Sequence, residues 1–328
     1  MEYTRRNFGK LALSAVPAAA LIERILDPGA ALAEARPNSL ISGVQIGSIT
    51  YSYGSMPDQS GDATLQYIVD SGISAIEMMN GPAEQFAGAP VSPRFGGGGG
   101  RRGQPPTPEQ QASLREAAAQ LKKWRLSVSM DKYKVLRKKY NDAGVTIYAW
   151  KCLNPSMADE EMEYVFNVAE ALGCTHTTLE LTDDAAQLKR IGGFAETYKI
   201  YAAYHTHTQG GMNVFDQAFA VSKGNMANVD LGHYVAGGNV GGTTLQFLQK
   251  HHARVASFHL KDRTTPAHGA KNLPWGTGDT PIVEILQLVK KNKWTMPAAI
   301  ELEYDVPPGS DAVKEVQKCL AYCRSALA

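Results

Sequence analysis

Several things are scarce in this sequence. Four cysteines among 328 residues are too few for a disulfide scaffold. No stretch of about 18 uncharged apolar residues occurs, the length that a membrane-spanning helix needs, so stable membrane insertion of the mature chain is not expected. Neither sign of charge dominates: 33 basic and 32 acidic residues leave a net +1. No block of like charge offers a nucleic-acid face. No G-x-G-x-x-G follows the first strand signal, which removes the main argument for a dinucleotide cofactor. Cys319 and Cys323 stand one helical turn apart with no Cys or His beside them to complete a metal set, so they read as small buried residues.

What is present is a large apolar fraction, 44% of the chain, enough for one sizeable core. A single α/β barrel of roughly 250 residues with additions fits the length. The N-terminus reads as an address. Thr4-Arg5-Arg6-Asn7-Phe8-Gly9-Lys10 resembles the twin-arginine export signal. An apolar, alanine-rich run from Leu11 to Ile22 follows, and Ala31-Leu32-Ala33 offers a small-x-small cleavage site. Glu23 and Arg24 interrupt the segment, and the alternative is an ordinary amphipathic N-terminal helix. The expectation is a signal peptide over residues 1–33, with the twin-arginine machinery as partner and a periplasmic or secreted location.

From residue 41 to 328 short β-rich runs alternate with helical patterns. The strand signals are Gly43–Tyr51, Ile73–Met79, Val145–Lys151, Thr175–Leu181, Ile200–His205, Ala227–Leu231, Val255–Leu260 and Ala298–Glu303. Helical patterns cover Ala63–Ser71, Asp159–Leu172, Val214–Val221, Thr244–His251, Ile282–Lys291 and Ala312–Ala326. Two further helices are expected between Pro108 and Ala143. Eight βα units predict a parallel, closed (β/α)8 TIM barrel rather than an open sheet. Residues 90–106 break the rhythm. Five consecutive glycines, Gly96 to Gly100, are too costly in backbone entropy to form a packed element. The segment reads as a surface insertion after the second strand, with a lid as the alternative.

The strand ends carry the chemistry. In such a barrel, inward-facing polar groups at the C-terminal ends of strands line the active-site mouth. The fourth strand ends in Thr178-Leu179-Glu180-Leu181, the fifth in Tyr204-His205-Thr206-His207 and the sixth in Asn228-Val229-Asp230-Leu231-Gly232-His233. The seventh ends in Phe258-His259-Leu260-Lys261-Asp262 and the eighth in Ile300-Glu301-Leu302-Glu303-Tyr304. Any one of these has a dull explanation, such as a salt bridge or a satisfied imidazole. Carboxylates and imidazoles recurring at the ends of consecutive parallel strands converge in space, and mixed oxygen and nitrogen donors suit Mn²⁺, Co²⁺, Zn²⁺, Mg²⁺ or Fe²⁺.

Asp230-Leu231-Gly232-His233, then His259-Leu260-Lys261-Asp262, then a strand-end Glu301 resembles the xylose isomerase-like TIM barrels of the sugar phosphate isomerase/epimerase superfamily. Tyr204-His205-Thr206-His207 is similar to the paired-histidine strand of one large branch. The resemblance covers about Ile41 to the C-terminus. It implies one divalent metal held by a Glu, an Asp, a His and a second Glu, the last three being Asp230, His259 and Glu301. Epimerases of the superfamily place the first Glu on the fifth strand, where this chain has His205 and His207. Glu180 on the fourth strand is then the remaining carboxylate, with His205 as a fifth or replacement ligand. Glu301 and Glu303 share one parity, and the spacing from Trp294 matches relatives at Glu301. His233 matches a position that contacts substrate.

Isomerising or epimerising a ketose removes a proton beside a carbonyl. Glu180 and Glu301 are the expected acid–base pair, with His205 as an alternative base. His207 and Lys261 would steady the developing negative charge, although Lys261 also reads as a salt-bridge partner of Asp262. Trp275, in the loop after the seventh strand, either stacks on a sugar ring or covers the rim. The expected function is metal-dependent isomerisation or epimerisation of a non-phosphorylated sugar or derivative, since sugar phosphates are largely intracellular. The alternatives are elimination of the aglycone from 3-keto-glycosides, a non-catalytic sugar-binding protein, and a hydrolytic metal nuclease with two or three ions. The expected partner is a small-molecule carbohydrate, and a homo-oligomer is left open.

Overall fold

Eight runs rich in β-branched and apolar residues form eight parallel strands: β1 (Val44–Ile49), β2 (Ala75–Met79), β3 (Thr146–Lys151), β4 (His176–Glu180), β5 (Tyr201–His205), β6 (Asn225–Asp230), β7 (Val255–Leu260) and β8 (Ala298–Ile300). Each pairs with the next in chain order, and β8 pairs with both β7 and β1, which closes the ring. The computed structural model describes residues 36–91, 107–239 and 241–328. The signal-peptide segment and nearly all of the glycine-rich insertion therefore lie outside the described residues. The barrel is the unit of residues 37–328, and the expected (β/α)8 TIM barrel is what it forms. No helix among the described residues is long and apolar enough to cross a membrane.

Residues of one parity face the helix layer and form the apolar core. Leu179, Val229, Phe258 and Leu260 are all at most 1% exposed. The opposite parity points into the barrel, and there the lining is polar. His176 Nε2 lies 2.9 Å from Ser257 Oγ near the strands' N-terminal ends. Higher up, Thr178 of β4 donates to Glu77 of β2 at 2.6 Å. Two register irregularities fall at Ile76/Glu77, where β2 meets β3, and at Ala227/Asn228, where β6 meets β7. Such bulges re-aim the side chains beside them.

Helices cover the outside. The cysteine pair lies on the buried face of the C-terminal helix, Ala312–Ala326, with both thiols free. The helices Pro108–Arg125 and Asp131–Asp142 precede β3 as expected. The first of them has no fully buried residue. It is fixed to the barrel by the Arg125 guanidinium, whose Nε lies 2.7 Å from Oε1 of the buried Glu84. Tyr164 donates to the same oxygen at 2.9 Å. Arg125→Met strands that carboxylate, and the expected loss of unfolding free energy is about 3 kcal/mol. Urea titration with the glycine-rich segment intact measures it; a change below about 0.5 kcal/mol would mean the pair contributes as little as a surface one.

Candidate metal centre

Asp230 is the last residue of β6 and also the N-cap of the short helix Leu231–Ala236. Its Oδ1 accepts from the His233 backbone N–H at 2.6 Å. The cap fixes the carboxylate's rotation and turns Oδ2 into the barrel mouth. Gly232 is required beside it, because a Cβ there would collide with the Lys261 side chain and lie 2.7 Å from the Lys261 carbonyl oxygen. On β7, His259 is fully buried among three carboxylates. Its Nδ1 is 2.9 Å from Glu301 Oε2 and 3.9 Å from Asp230 Oδ2, and its Nε2 is 2.8 Å from Glu77 Oε2. His205, at the end of β5, brings its ring centroid to 4.7 Å from that of His259.

One ligand atom from each of His205, Asp230, His259 and Glu301 lies within 4.8 Å of every other, and all four residues are buried. Two imidazole nitrogens and two carboxylate oxygens form a donor set suited to Mn²⁺, Co²⁺, Zn²⁺ or Fe²⁺. His205 Nδ1 is buried without a hydrogen-bond partner. An orphaned nitrogen at this depth is costly, and a cation would satisfy it. Asp230 Oδ2 has the Lys261 ammonium at 3.0 Å, so a divalent ion there would take over a place that already holds positive charge. The residues fit a divalent ion.

The electrostatics agree with that reading. Burial pushes His205 well below the ordinary histidine value, which keeps it neutral and able to ligate. Burial opposes a charge on His259 too, but Glu301 and Glu77 outweigh it and raise the imidazole to about 10. Burial lifts the Asp230 carboxyl to about 7 against the pull of Lys261. For Glu301 the neighbouring Lys261 and His259 outweigh burial and hold the carboxyl well below the usual range. A proton on His259 therefore occupies the place that a metal would take, and metal binding would release it.

Lys261 is the second cation of the site. Its buried Nζ lies 3.0 Å from Asp230 Oδ2, 2.8 Å from Glu301 Oε2 and 2.7 Å from Glu303 Oε2. It is not a partner of Asp262. That carboxylate instead accepts the backbone N–H groups of Gly276, Thr277, Gly278 and Thr280, and so shapes the loop after β7. Of the two glutamates that follow β8, Glu301 belongs to the four-residue group, while Glu303 holds Lys261 and accepts from Asn272.

Glu180 stands apart from the position expected of it. Its side chain is 50% exposed, and its carboxylate meets Lys151 Nζ at 3.0 Å and His207 Nδ1 at 3.3 Å. The physical reason is the β3 neighbour: the Lys151 ammonium draws the glutamate across the strand ends, and His205 takes the place in the buried group. His207 and His233 sit nearby, with ring centroids 4.9 Å apart. His205, His207 and His233 also form a group of three within ligand reach. The two nitrogens of His233, however, face Lys261 and the Arg263 guanidinium. Burial first, then those two cations, push His233 down to about 2. The ring contact of Trp275 is with Tyr322 of the C-terminal helix, 6.0 Å between centroids.

Sequence reasoning missed Glu77, Lys151, Asn228 and Arg263 as site residues. The signal for Glu77 was a lone charge in Ala75-Ile76-Glu77-Met78-Met79. A cavity of about 530 Å³ lined by Tyr148, Tyr201, Met226 and Trp294 opens near the strands' N-terminal ends, away from this chemistry.

Three solved structures show the same fold. A sugar phosphate isomerase/epimerase from Parabacteroides distasonis is 17% identical, with a TM-score of 0.56 over 87% of this chain and 95% of its own. A probable 3-DHS dehydratase from Bacillus anthracis is 14% identical, with a TM-score of 0.58 over 85% and 98%. A D-allulose 3-epimerase from Methylomonas sp., solved with D-allulose, is 12% identical, with a TM-score of 0.53 over 86% and 96%. None of the curated proteins matches the sequence. The family model described as the xylose isomerase-like TIM barrel matches residues 65–323. With strands, strand ends and family model in agreement, the chain belongs to the xylose isomerase-like TIM barrel family.

Proposed function

We propose that this protein is a metal-dependent isomerase or epimerase of a non-phosphorylated sugar or sugar derivative. The observation that carries the reading is the buried convergence of His205, Asp230, His259 and Glu301 at the C-terminal ends of β5 to β8. The epimerase solved with D-allulose supports the substrate class. The twin-arginine-type N-terminus supports a periplasmic or secreted location, and with it an unphosphorylated substrate.

A divalent ion held by His205, Asp230, His259 and Glu301 would supply Lewis-acid stabilisation of the negative charge that develops when the proton is lost. Glu301, ionised at neutral pH, takes that proton on a carboxylate oxygen and can return it. Lys261, already beside Glu301, balances the negative charge that develops on the substrate oxygens. His207 is the second acid–base group. Glu180 orients its ring through Nδ1, and Lys151 fixes Glu180 in turn. Glu180 thus acts through His207 rather than as a ligand. His233 stays neutral between its two cations.

The half-exposed His207–Glu180 pair also favours a second reading, elimination from 3-keto-glycosides. There Glu301 removes the same kind of proton, and His207 protonates the departing aglycone oxygen. Incubation in D₂O with ketoses and with 3-keto-glycosides, with and without added Mn²⁺ or Co²⁺, separates the two. Deuterium at the carbon beside the carbonyl of a ketose is the expected result. Release of free aglycone without ketose exchange would select the elimination, and neither product with any added ion would sink both. His207→Asn should lower kcat about 100-fold while the bound-metal count stays unchanged; an equal loss of metal would make His207 a ligand instead.

A further inference from the structure

Glu77 is a carboxylate in the middle of β2, wholly enclosed by the barrel. A buried charge persists only when partners replace its water. Glu77 has three hydrogen-bond partners, each from a different strand. Thr178 of β4 donates to Oε1 at 2.6 Å, Asn228 of β6 donates to Oε2 at 3.1 Å, and His259 Nε2 of β7 lies 2.8 Å from the same Oε2. The two register irregularities of the barrel strands fall immediately before Glu77 and immediately before Asn228. The backbone is thus adjusted at the two places that bring this carboxylate and its amide partner to the histidine.

We infer that Glu77 is the positioning residue of the metal centre, holding His259 with its Nε2 proton turned down into the barrel and its Nδ1 turned up toward Asp230 and Glu301. The inference rests on the metal-centre reading above. An imidazole has two nitrogens, and only one can be offered to a cation. A carboxylate acceptor behind the ring selects which one, fixes the ring's rotation and strengthens the ligand. Asn228 and Thr178 in turn fix the carboxylate. Glu77 has a second effect through charge. With His205 in the buried group, the ligand set has one carboxylate fewer than a set containing two glutamates and an aspartate. Glu77 supplies a negative charge one layer below, close enough to act on the same ion.

Three proteins test this: the wild type, Glu77→Gln and Thr178→Val. The glutamine amide can keep a hydrogen bond to each of the three partners but removes the charge. The valine breaks the network at the bond that does not touch His259. Dissociation constants for Mn²⁺ and Co²⁺ are read by chelator competition, beside thermal unfolding in chelator. The expected result is about a 10-fold weaker affinity in Glu77→Gln and a smaller loss, about 2- to 3-fold, in Thr178→Val, where the charge remains but one of its anchors is gone. Equal affinities in wild type and a folded Glu77→Gln would overturn the role of Glu77 while leaving the metal centre standing. A wild type that retains neither ion would overturn the metal centre, and the positioning role with it. If Glu77→Gln fails to fold, ¹⁵N NMR of the Zn²⁺-loaded wild type decides: a proton on His259 Nε2 supports the inference, and a proton on Nδ1 refutes it.

Discussion

Lys261→Met should make the stability of this barrel depend on divalent metal far more than that of the wild type does. The Lys261 ammonium is the shared partner of Asp230, Glu301 and Glu303, and it is 2% exposed. Methionine keeps the length and removes the charge, leaving those carboxylates clustered without it. Removing one partner of a buried ion pair costs about 3–5 kcal/mol, and that loss is expected in chelator. A divalent ion bound to Asp230 and Glu301 would replace the missing positive charge. At free metal about 1,000-fold above its dissociation constant, binding restores about 4 kcal/mol. The variant should also bind metal more tightly than the wild type, because the ammonium no longer competes for the same oxygens. Urea unfolding of both proteins in EDTA and in excess Mn²⁺ measures all of this. Equal stability in EDTA would show that the lysine does not neutralise the cluster. A variant that metal fails to rescue would show that the ion binds elsewhere.

The second large effect is expected at the ligands themselves. Asp230→Asn keeps the helix cap, since an asparagine oxygen accepts from the His233 N–H as an aspartate does. The fold should therefore persist while the charge that draws a cation is lost. Glu301→Gln removes both a ligand and the proposed base, and kcat should fall by about 1,000-fold or more. Metal content of the purified proteins, measured beside far-UV circular dichroism, separates a lost site from a lost fold. Undiminished metal in both variants would refute the four-residue centre. Loss of activity in Glu301→Gln with full metal content would assign that residue to proton transfer and remove it from the ligands.

The barrel was legible because its strands are short apolar runs between turn residues at βα spacing. For β7 the expected and observed bounds coincide, Val255–Leu260. Strand ends were less legible where side chains intervene. The eighth strand was expected to reach Glu303 but stops at Ile300. The reason is local: the Leu302 N–H donates to the Ser52 hydroxyl at 3.0 Å rather than to a neighbouring strand. The sixth begins earlier than expected, at Asn225, because a fully buried asparagine serves there as a strand residue. Its amide donates to the carbonyls of Leu188 and Ala218.

The site divides in the same way. Strand-end convergence gathered the candidates, and the resemblance to the xylose isomerase-like barrels singled out Asp230, His259 and Glu301 among them. Glu180 satisfied the convergence rule as well as His205 did. Only the ion pairs with Lys151 and His207 settle which of them enters the buried group, and strand parity does not encode ion pairs. Glu77 was beyond reach for a simpler reason. Its partners Thr178, Asn228 and His259 lie 101, 151 and 182 residues away along the chain, and nothing local connects them.

Those same separations bear on how the molecule is completed. The four candidate ligands come from β5 to β8, and the carboxylate behind His259 comes from β2. The last part of the barrel carries all four ligands, but the carboxylate that holds His259 in place comes from the first part, and contacts this distant along the chain form slowly. Metal uptake at full affinity would then be one of the last events of maturation, and a tightly held ion would report that the two ends of the barrel have met.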